Sequence, residues 1–389
     1  MTHCPVCSAS APEPLDRRPK VPIAQNLIFR SREAALGCPT GRLDMVRCTA
    51  CGFAWNAAFD PALLAYGADY ESDQTHSPVN RRHLAQVAET VASLVAGRSG
   101  ITALEVGLGQ GQFLFTLAER LGDRIERLIG FDPAFRPSSP LPAKARVEGA
   151  LFSEATLSKL RAQPDVVVTR HVIEHVADPL RFLRTVRAVC AEGTPLVVET
   201  PNLDWILKGA VVHDLYYEHC SLFDAASLTG ALAAAGFEAE DVREAYGGQY
   251  LVAAARARLP GRTKRDSPVD SRAYPGRKAA AIQAIEAALA RDEAAGERVA
   301  LWGGASKGVT LALLLGGRSG ALDMAIDVNP ARAGTFMPVS GLPVVLPDTA
   351  RAAGISKAYV MNPVYFDEIE RQCKGVNWPI ALVRVDACS

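Results

Sequence analysis

From residue 101 onward the chain alternates between short apolar runs and amphipathic stretches. Residues 101–106, 127–132, 165–169 and 195–199 are apolar, largely β-branched, and end in polar or turn residues, while 179–190 carries apolar positions at helical spacing. Strand-length runs separated by helix-length ones predict a mostly parallel, doubly wound sheet with helices on its faces. An Ala/Leu-rich helix follows at 224–235, stopped by Gly236, and then a strand at 250–255. Residues 259–276 are rich in Pro, Arg and Asp without apolar period, the composition of a surface linker. Beyond it, 277–294 reads as a long helix, and a strand at 298–302 opens a second series of strand, glycine turn and helix that continues through 322–327. The first sixty residues hold many prolines and few long periodic runs, and a helical pattern takes over from about Pro61. The expected organisation is an N-terminal module (1–60), an α/β domain with lead-in helices (61–258), a linker (259–276) and a second α/β domain (277–389).

Length and charge narrow this picture without changing it. At 389 residues the chain is too long for one ordinary core and divides naturally into two or three domains. Its 42 Lys+Arg balance 42 Asp+Glu, so the broad field that holds proteins on nucleic acid or anionic lipid is missing, and neither partner is expected. The first fourteen residues are polar and Pro-rich, and no run of 18 apolar residues occurs, so a cytoplasmic protein is expected.

The cysteines supply the first candidate chemistry. Of nine, four sit in two pairs, Cys4-Pro-Val-Cys7 and Cys48-Thr-Ala-Cys51-Gly52. Such pairs form knuckles that together offer four thiolates to one tetrahedral Zn²⁺, with glycine where the chain must turn around sulfur. Four thiolates leave no open coordination position, so Cys4, Cys7, Cys48 and Cys51 are expected to hold a structural zinc.

A second set of residues lies at strand ends. Leu104-Glu105-Val106-Gly107-Leu108-Gly109-Gln110-Gly111 closes the first predicted strand of the α/β domain, where glycines let the backbone approach a ligand before a helix begins. Asp132 closes the second in Gly130-Phe131-Asp132-Pro133, where a carboxylate can accept both hydroxyl hydrogens of an adenosine ribose. The G-x-G-x-G spacing differs from the dinucleotide G-x-G-x-x-G, which argues against a nicotinamide cofactor.

With Glu105-x-Gly107-x-Gly109-x-Gly111, Asp132 and the strand-end segment Thr169-Arg170-His171-Val172-Ile173-Glu174-His175-Val176-x-Asp178-Pro179, the chain resembles the class I S-adenosylmethionine-dependent methyltransferases. The resemblance implies a Rossmann-like cofactor domain and assigns Glu105, Gly107, Gly109, Gly111, Asp132 and His171 to the cofactor. Asp214-Leu215-Tyr216-Tyr217-Glu218-His219 is similar to a segment of the C-methyltransferases acting on nucleotide-linked keto-deoxysugars. Trp302-Gly303-Gly304-Ala305-Ser306-Lys307-Gly308, Asp327-Val328-Asn329-Pro330 and Gly334-Thr335-Phe336-Met337-Pro338 resemble the C-terminal domain of the same family. Two stretches depart from the family's pattern: Gly247-Gly248-Gln249 stands where Gly-Gly-Ser is usual, and Val21-Pro22-Ile23-Ala24-Gln25-Asn26 is unlike the sugar enzymes. Both bear on the substrate and not on the cofactor.

Methylating a carbon beside a ketone requires a base to remove a proton and a donor to hold the enolate oxygen. His219 is the expected base, with Glu218 orienting or supporting it, Tyr216 touching the substrate and His175 as a second acid or base. Tyr66 and Tyr70 are candidates for a lid, and Ser306-Lys307-Gly308 for a phosphate cradle on a small, nucleotide-bearing substrate. O- or N-methylation of another small molecule is the alternative within the class. A zinc-containing binding protein on a degenerate methyltransferase fold is the alternative outside it.

Overall fold

A computed structural model describes residues 3–10, 12–64, 70–137, 139–258 and 270–388. Tyr66 and most of the expected linker lie outside the described residues. Three sheets organise the described residues. The largest runs, from one edge to the other, Ala145–Glu148, Ile125–Phe131, Ile101–Val106, Val166–Arg170, Pro195–Pro201, Tyr250–Ala257 and Phe237–Ala245. The first five are parallel and the last two antiparallel. This is the expected α/β Rossmann-like sheet.

The apolar runs are continuous because both faces are covered. Leu104, Val106, Val167, Leu196 and Val198 point to one side, against Phe182, Leu183 and Val186 of the helix Pro179–Ala188. Ala103, Val166, Val168 and Val197 point to the other, against the helices Pro78–Leu94 and Gln112–Leu121. Strand alternation thus feeds two cores from one sheet. The chain starts the sheet in its middle, at Ile101–Val106, works outward to one side and returns to Val166–Arg170 on the other. That reversal opens a crevice at the carboxyl ends of these two strands, which is where ligands bind in open α/β sheets.

The N-terminal region departs from the expectation of few long regular runs. It contains the ten-residue strand Glu13–Pro22 and the eight-residue strand Thr40–Arg47, followed by Ala54–Asn56. Their polar positions alternate with Leu15, Val21, Leu43 and Met45, which are buried. Prolines in the first strand masked its period. The fourth strand of this antiparallel sheet is Ser221–Leu222, from far along the chain, so the N-terminal sheet is completed by the segment that follows His219.

The helix expected at 277–294 runs Tyr274–Ala294, beginning inside the expected linker because Tyr274 is fully buried against Leu203 and Tyr217. The C-terminal sheet orders Thr335–Phe336, Pro343–Val345, Met324–Ile326, Val299–Trp302, Lys357–Val360 and Ala381–Arg384, all parallel except the first pairing. It repeats the reversal of the large sheet, with its crevice between Val299–Trp302 and Lys357–Val360. No helix among the described residues is long and apolar enough to cross a membrane.

Candidate active site

At the first crevice the three glycines adopt left-handed backbone, with φ of 76° at Gly107, 56° at Gly109 and 87° at Gly111. A Cβ at Gly107 would lie 2.0 Å from Val172 Cγ2, so only glycine lets the strand end close against the next turn. Gly111 starts the helix Gln112–Leu121 without any side-chain cap. Asp132 accepts hydrogen bonds from the Gly109 N–H (2.9 Å) and the Ala134 N–H (2.8 Å), one on each oxygen. Each oxygen keeps a further lone pair, so the carboxylate that shapes the turn can still accept two ribose hydroxyls. Burial pushes its pKa up, against those two N–H groups. Glu105 is buried behind the turn with Oε2 unpartnered among the described residues; burial raises its carboxyl to about 8, against the pull of Arg170.

His171 stands at the end of Val166–Arg170 with φ of 53°, a left-handed position that costs a non-glycine residue strain. Its ring bridges two buried carboxylates, Nδ1 to Glu174 Oε1 at 3.2 Å and Nε2 to Glu199 Oε1 at 3.1 Å. Burial works against a charge here, but the two carboxylates outweigh it and raise the imidazole to about 9. Glu199 also receives Arg170 Nε at 2.7 Å and faces His83 Nε2 at 2.7 Å, and these partners hold it well below the usual carboxylate range despite its burial. Neither Glu199, Arg170 nor His83 was singled out from the sequence. The signal available was a glutamate inside the otherwise apolar run Pro195–Pro201, a charge that must find partners.

The segment after the large sheet's fifth strand carries the other expected residues. His219 is packed between the rings of Tyr216 (centroids 4.4 Å) and His175 (4.9 Å, edge to face). Its Nδ1 is buried without a partner among the described residues. Burial, reinforced by the neighbouring cationic groups, holds its pKa well below the usual value, so the ring is neutral near pH 7. Glu218 does not orient His219. It accepts the Gln25 N–H (2.9 Å) and the Tyr70 hydroxyl (2.8 Å) and lies 4.0 Å from His175 Nδ1, so the carboxylate belongs with His175. Burial raises its pKa. Tyr216 is buried and its hydroxyl donates to Asp214, which makes it a support for His219 rather than an exposed substrate contact. Tyr70 does come to the site, through Glu218.

Lys307 also differs from expectation. Its Nζ lies 2.5 Å from Asp214 Oδ2 and over the Trp205 ring, so its charge is committed across the interface and not held out for a phosphate. Burial opposes ionisation of Asp214, and Lys307 overcomes it.

The four cysteine sulfurs converge as the spacing implies. Cys4 and Cys51 Sγ are 3.6 Å apart, Cys7 and Cys48 Sγ 3.5 Å, and all four lie within 4.8 Å of one another. Tetrahedral Zn–S bonds of about 2.3 Å require sulfur separations of about 3.8 Å, so the donor set suits that ion. The hydrogen bond with Cys51 lowers the Cys4 pKa, which favours the thiolate form that a metal takes.

Comparison with known proteins agrees with this geometry. The family model described as a methyltransferase domain matches residues 79–242, and that described as a C-methyltransferase C-terminal domain matches 272–381. A Mycolicibacterium smegmatis protein named a probable S-adenosylmethionine-dependent methyltransferase is 32% identical over 174 residues, 44% of this chain and 63% of that one. A ubiquinone biosynthesis O-methyltransferase of Caulobacter is 33% identical over 107 residues, 26% of this chain and 42% of that one. The chain thus spans less than two thirds of these relatives. Among solved structures, the CurJ carbon methyltransferase is 18% identical with a TM-score of 0.35, covering 47% of this chain and 56% of that one. Strand order and the glycine turn with Asp132 agree with the match of residues 79–242 to a methyltransferase domain. The match to a C-methyltransferase C-terminal domain follows it along the chain.

Proposed function

We propose that this chain methylates a carbon next to a ketone on a nucleotide-linked deoxysugar, with His219 as the base, and that zinc on Cys4, Cys7, Cys48 and Cys51 has a structural role. The observation that carries the reading is His219: a half-buried imidazole whose Nδ1 is buried and unpartnered among the described residues, beside His175, at the junction of the cofactor crevice and the C-terminal domain. An O-methyltransferase acting on an acidic hydroxyl has less need of such a group.

Gly107, Gly109, Gly111, Asp132, Glu105 and His171 surround the place where S-adenosylmethionine would be held. Bound there, the cofactor supplies an electrophilic methyl group. The chain's own residues do the rest. His219 takes the proton from the substrate carbon, and the low-dielectric surroundings that keep it neutral also keep it unprotonated until substrate arrives. His175, linked to Glu218, stands next to it to pass that proton onward or to donate to the enolate oxygen. Asp214, anchored by Lys307, fixes Tyr216 and so the position of the His219 ring. The knuckle bears on the same segment, since Ala54–Asn56, just beyond Cys51, pairs with Ser221–Leu222, just beyond His219.

Incubation with methyl-¹³C S-adenosylmethionine and a nucleotide-linked 4-keto-6-deoxyhexose should give a product whose new methyl carbon couples to a ring carbon in the NMR spectrum. A methyl attached to oxygen or nitrogen would overturn the proposal.

A further inference from the structure

The two stretches in which the sequence departs from the sugar enzymes share one structural feature. Gln25 and Gln249 are each 1% exposed, and the side-chain oxygen of each is buried without a hydrogen-bond partner among the described residues. In both the orientation of the amide is fixed by its neighbour. Gln25 Nε2 lies 3.0 Å from Thr310 Oγ1, whose own hydrogen goes to the Ser306 carbonyl (2.9 Å); the hydroxyl can only accept, so Gln25 must turn its NH₂ to it. Gln249 Nε2 lies 2.7 Å from Asn362 Oδ1, which is fixed as the oxygen because it also accepts the Val364 N–H (3.1 Å). Flipping either glutamine amide would set two acceptors against each other.

Both sit where the methyltransferase domain meets the C-terminal sheet. Asn362 follows Lys357–Val360 at that sheet's own crevice, and Thr310 is one turn into the helix Ser306–Leu315 that leaves the neighbouring strand. The Gln25 backbone N–H is on Glu218, and Gln249 precedes Tyr250, whose ring meets His171 at 4.5 Å. Buried polar atoms are nearly always paired, and two unpaired acceptors at one junction beside one site point to a donor from outside the described residues.

We propose that Gln25 and Gln249 are specificity-determining residues whose side-chain oxygens accept hydrogen bonds from hydroxyl or amino groups of the substrate held between the two sheets. The inference rests on the reading that substrate enters this junction. It makes the preferred ketone one that carries donor groups, and it accounts for glutamine in both departing stretches.

The probes are a thymidine diphosphate 4-keto-6-deoxyhexose and analogues that each lack one ring hydroxyl. The wild-type enzyme should favour the hydroxyl-bearing member of at least one pair by on the order of 10²-fold in kcat/KM. Gln25→Met or Gln249→Met should reduce that preference to a few-fold, with S-adenosylhomocysteine affinity unchanged. Preferences that survive in both variants would overturn the proposal. Should the wild-type enzyme turn over none of these sugars, the nucleotide-sugar reading fails, and melting temperatures still decide the inference. Thr310→Val removes the same amide-to-hydroxyl bond as Gln25→Met but keeps the glutamine oxygen. Gln25→Met should therefore melt no lower than Thr310→Val, and a clearly lower melting temperature would show that the oxygen serves the fold instead.

Discussion

His175 and His219 meet edge to face with ring centroids 4.9 Å apart, although one follows a strand of the large sheet and the other lies 44 residues later. Ser221 joins them: its hydroxyl donates to the Val176 carbonyl at 2.7 Å, and its backbone pairs with Trp55 of the N-terminal sheet. His219→Ala should lower kcat by on the order of 10²-fold or more while S-adenosylhomocysteine binds as before. Turnover like the wild type, measured at saturating cofactor, would move the base elsewhere.

Asp132→Ala removes the acceptor for the ribose and also frees the Gly109 and Ala134 N–H groups. The expected loss in cofactor affinity is about 1–3 kcal/mol by calorimetric titration. Unchanged affinity would remove the ribose role.

Stability should fall as pH rises from about 6.5 to 9. His171 is raised to about 9 when folded, so its contribution is complete below its unfolded value and is lost as pH climbs through 9. Glu105, raised to about 8, has the same sign: between its ordinary value and 8 the folded chain holds a proton that the unfolded chain has released. Melting temperatures across this range should therefore decline, and Glu105→Gln should flatten the part below pH 8. A rise in melting temperature over the same range would contradict both assignments.

How much of this could be read from the sequence depended on the range of the interactions. The strands of the large sheet were legible because burial on both faces leaves unbroken apolar runs, and the glycine turn and Asp132 because their spacing is local. The partners of the segment 214–219 were not. Glu218 was assigned to His219 as its neighbour in sequence, but its hydrogen bonds come from Gln25 and Tyr70, 193 and 148 residues away. Lys307 read as a phosphate ligand because nothing local reveals that Asp214 claims it. The strand Ser221–Leu222 is two residues long and has no period to detect; only its pairing with Ala54–Asn56 defines it.

The knuckle should prove to be tied to this segment. Arg47, next to Cys48, donates to the Gly52 carbonyl (3.0 Å) and to Asp224 Oδ2 (2.9 Å), and the pair is almost completely buried. Arg47→Met should cost about 3–5 kcal/mol by leaving the buried Asp224 carboxylate without its counter-charge. Treatment with a thiol-reactive mercurial should release zinc and lower the melting temperature. Protein that contains no divalent metal after purification without chelator would contradict the structural zinc.

The central claim is proton abstraction from carbon by His219, and deuterium exchange measures it without methyl transfer. In D₂O with S-adenosylhomocysteine bound, the enzyme should wash deuterium into the carbon beside the ketone of a nucleotide-linked 4-keto-6-deoxyhexose, and His219→Ala should not. Exchange at the wild-type rate in His219→Ala, or none in the wild type while methyl product still forms, would contradict the account.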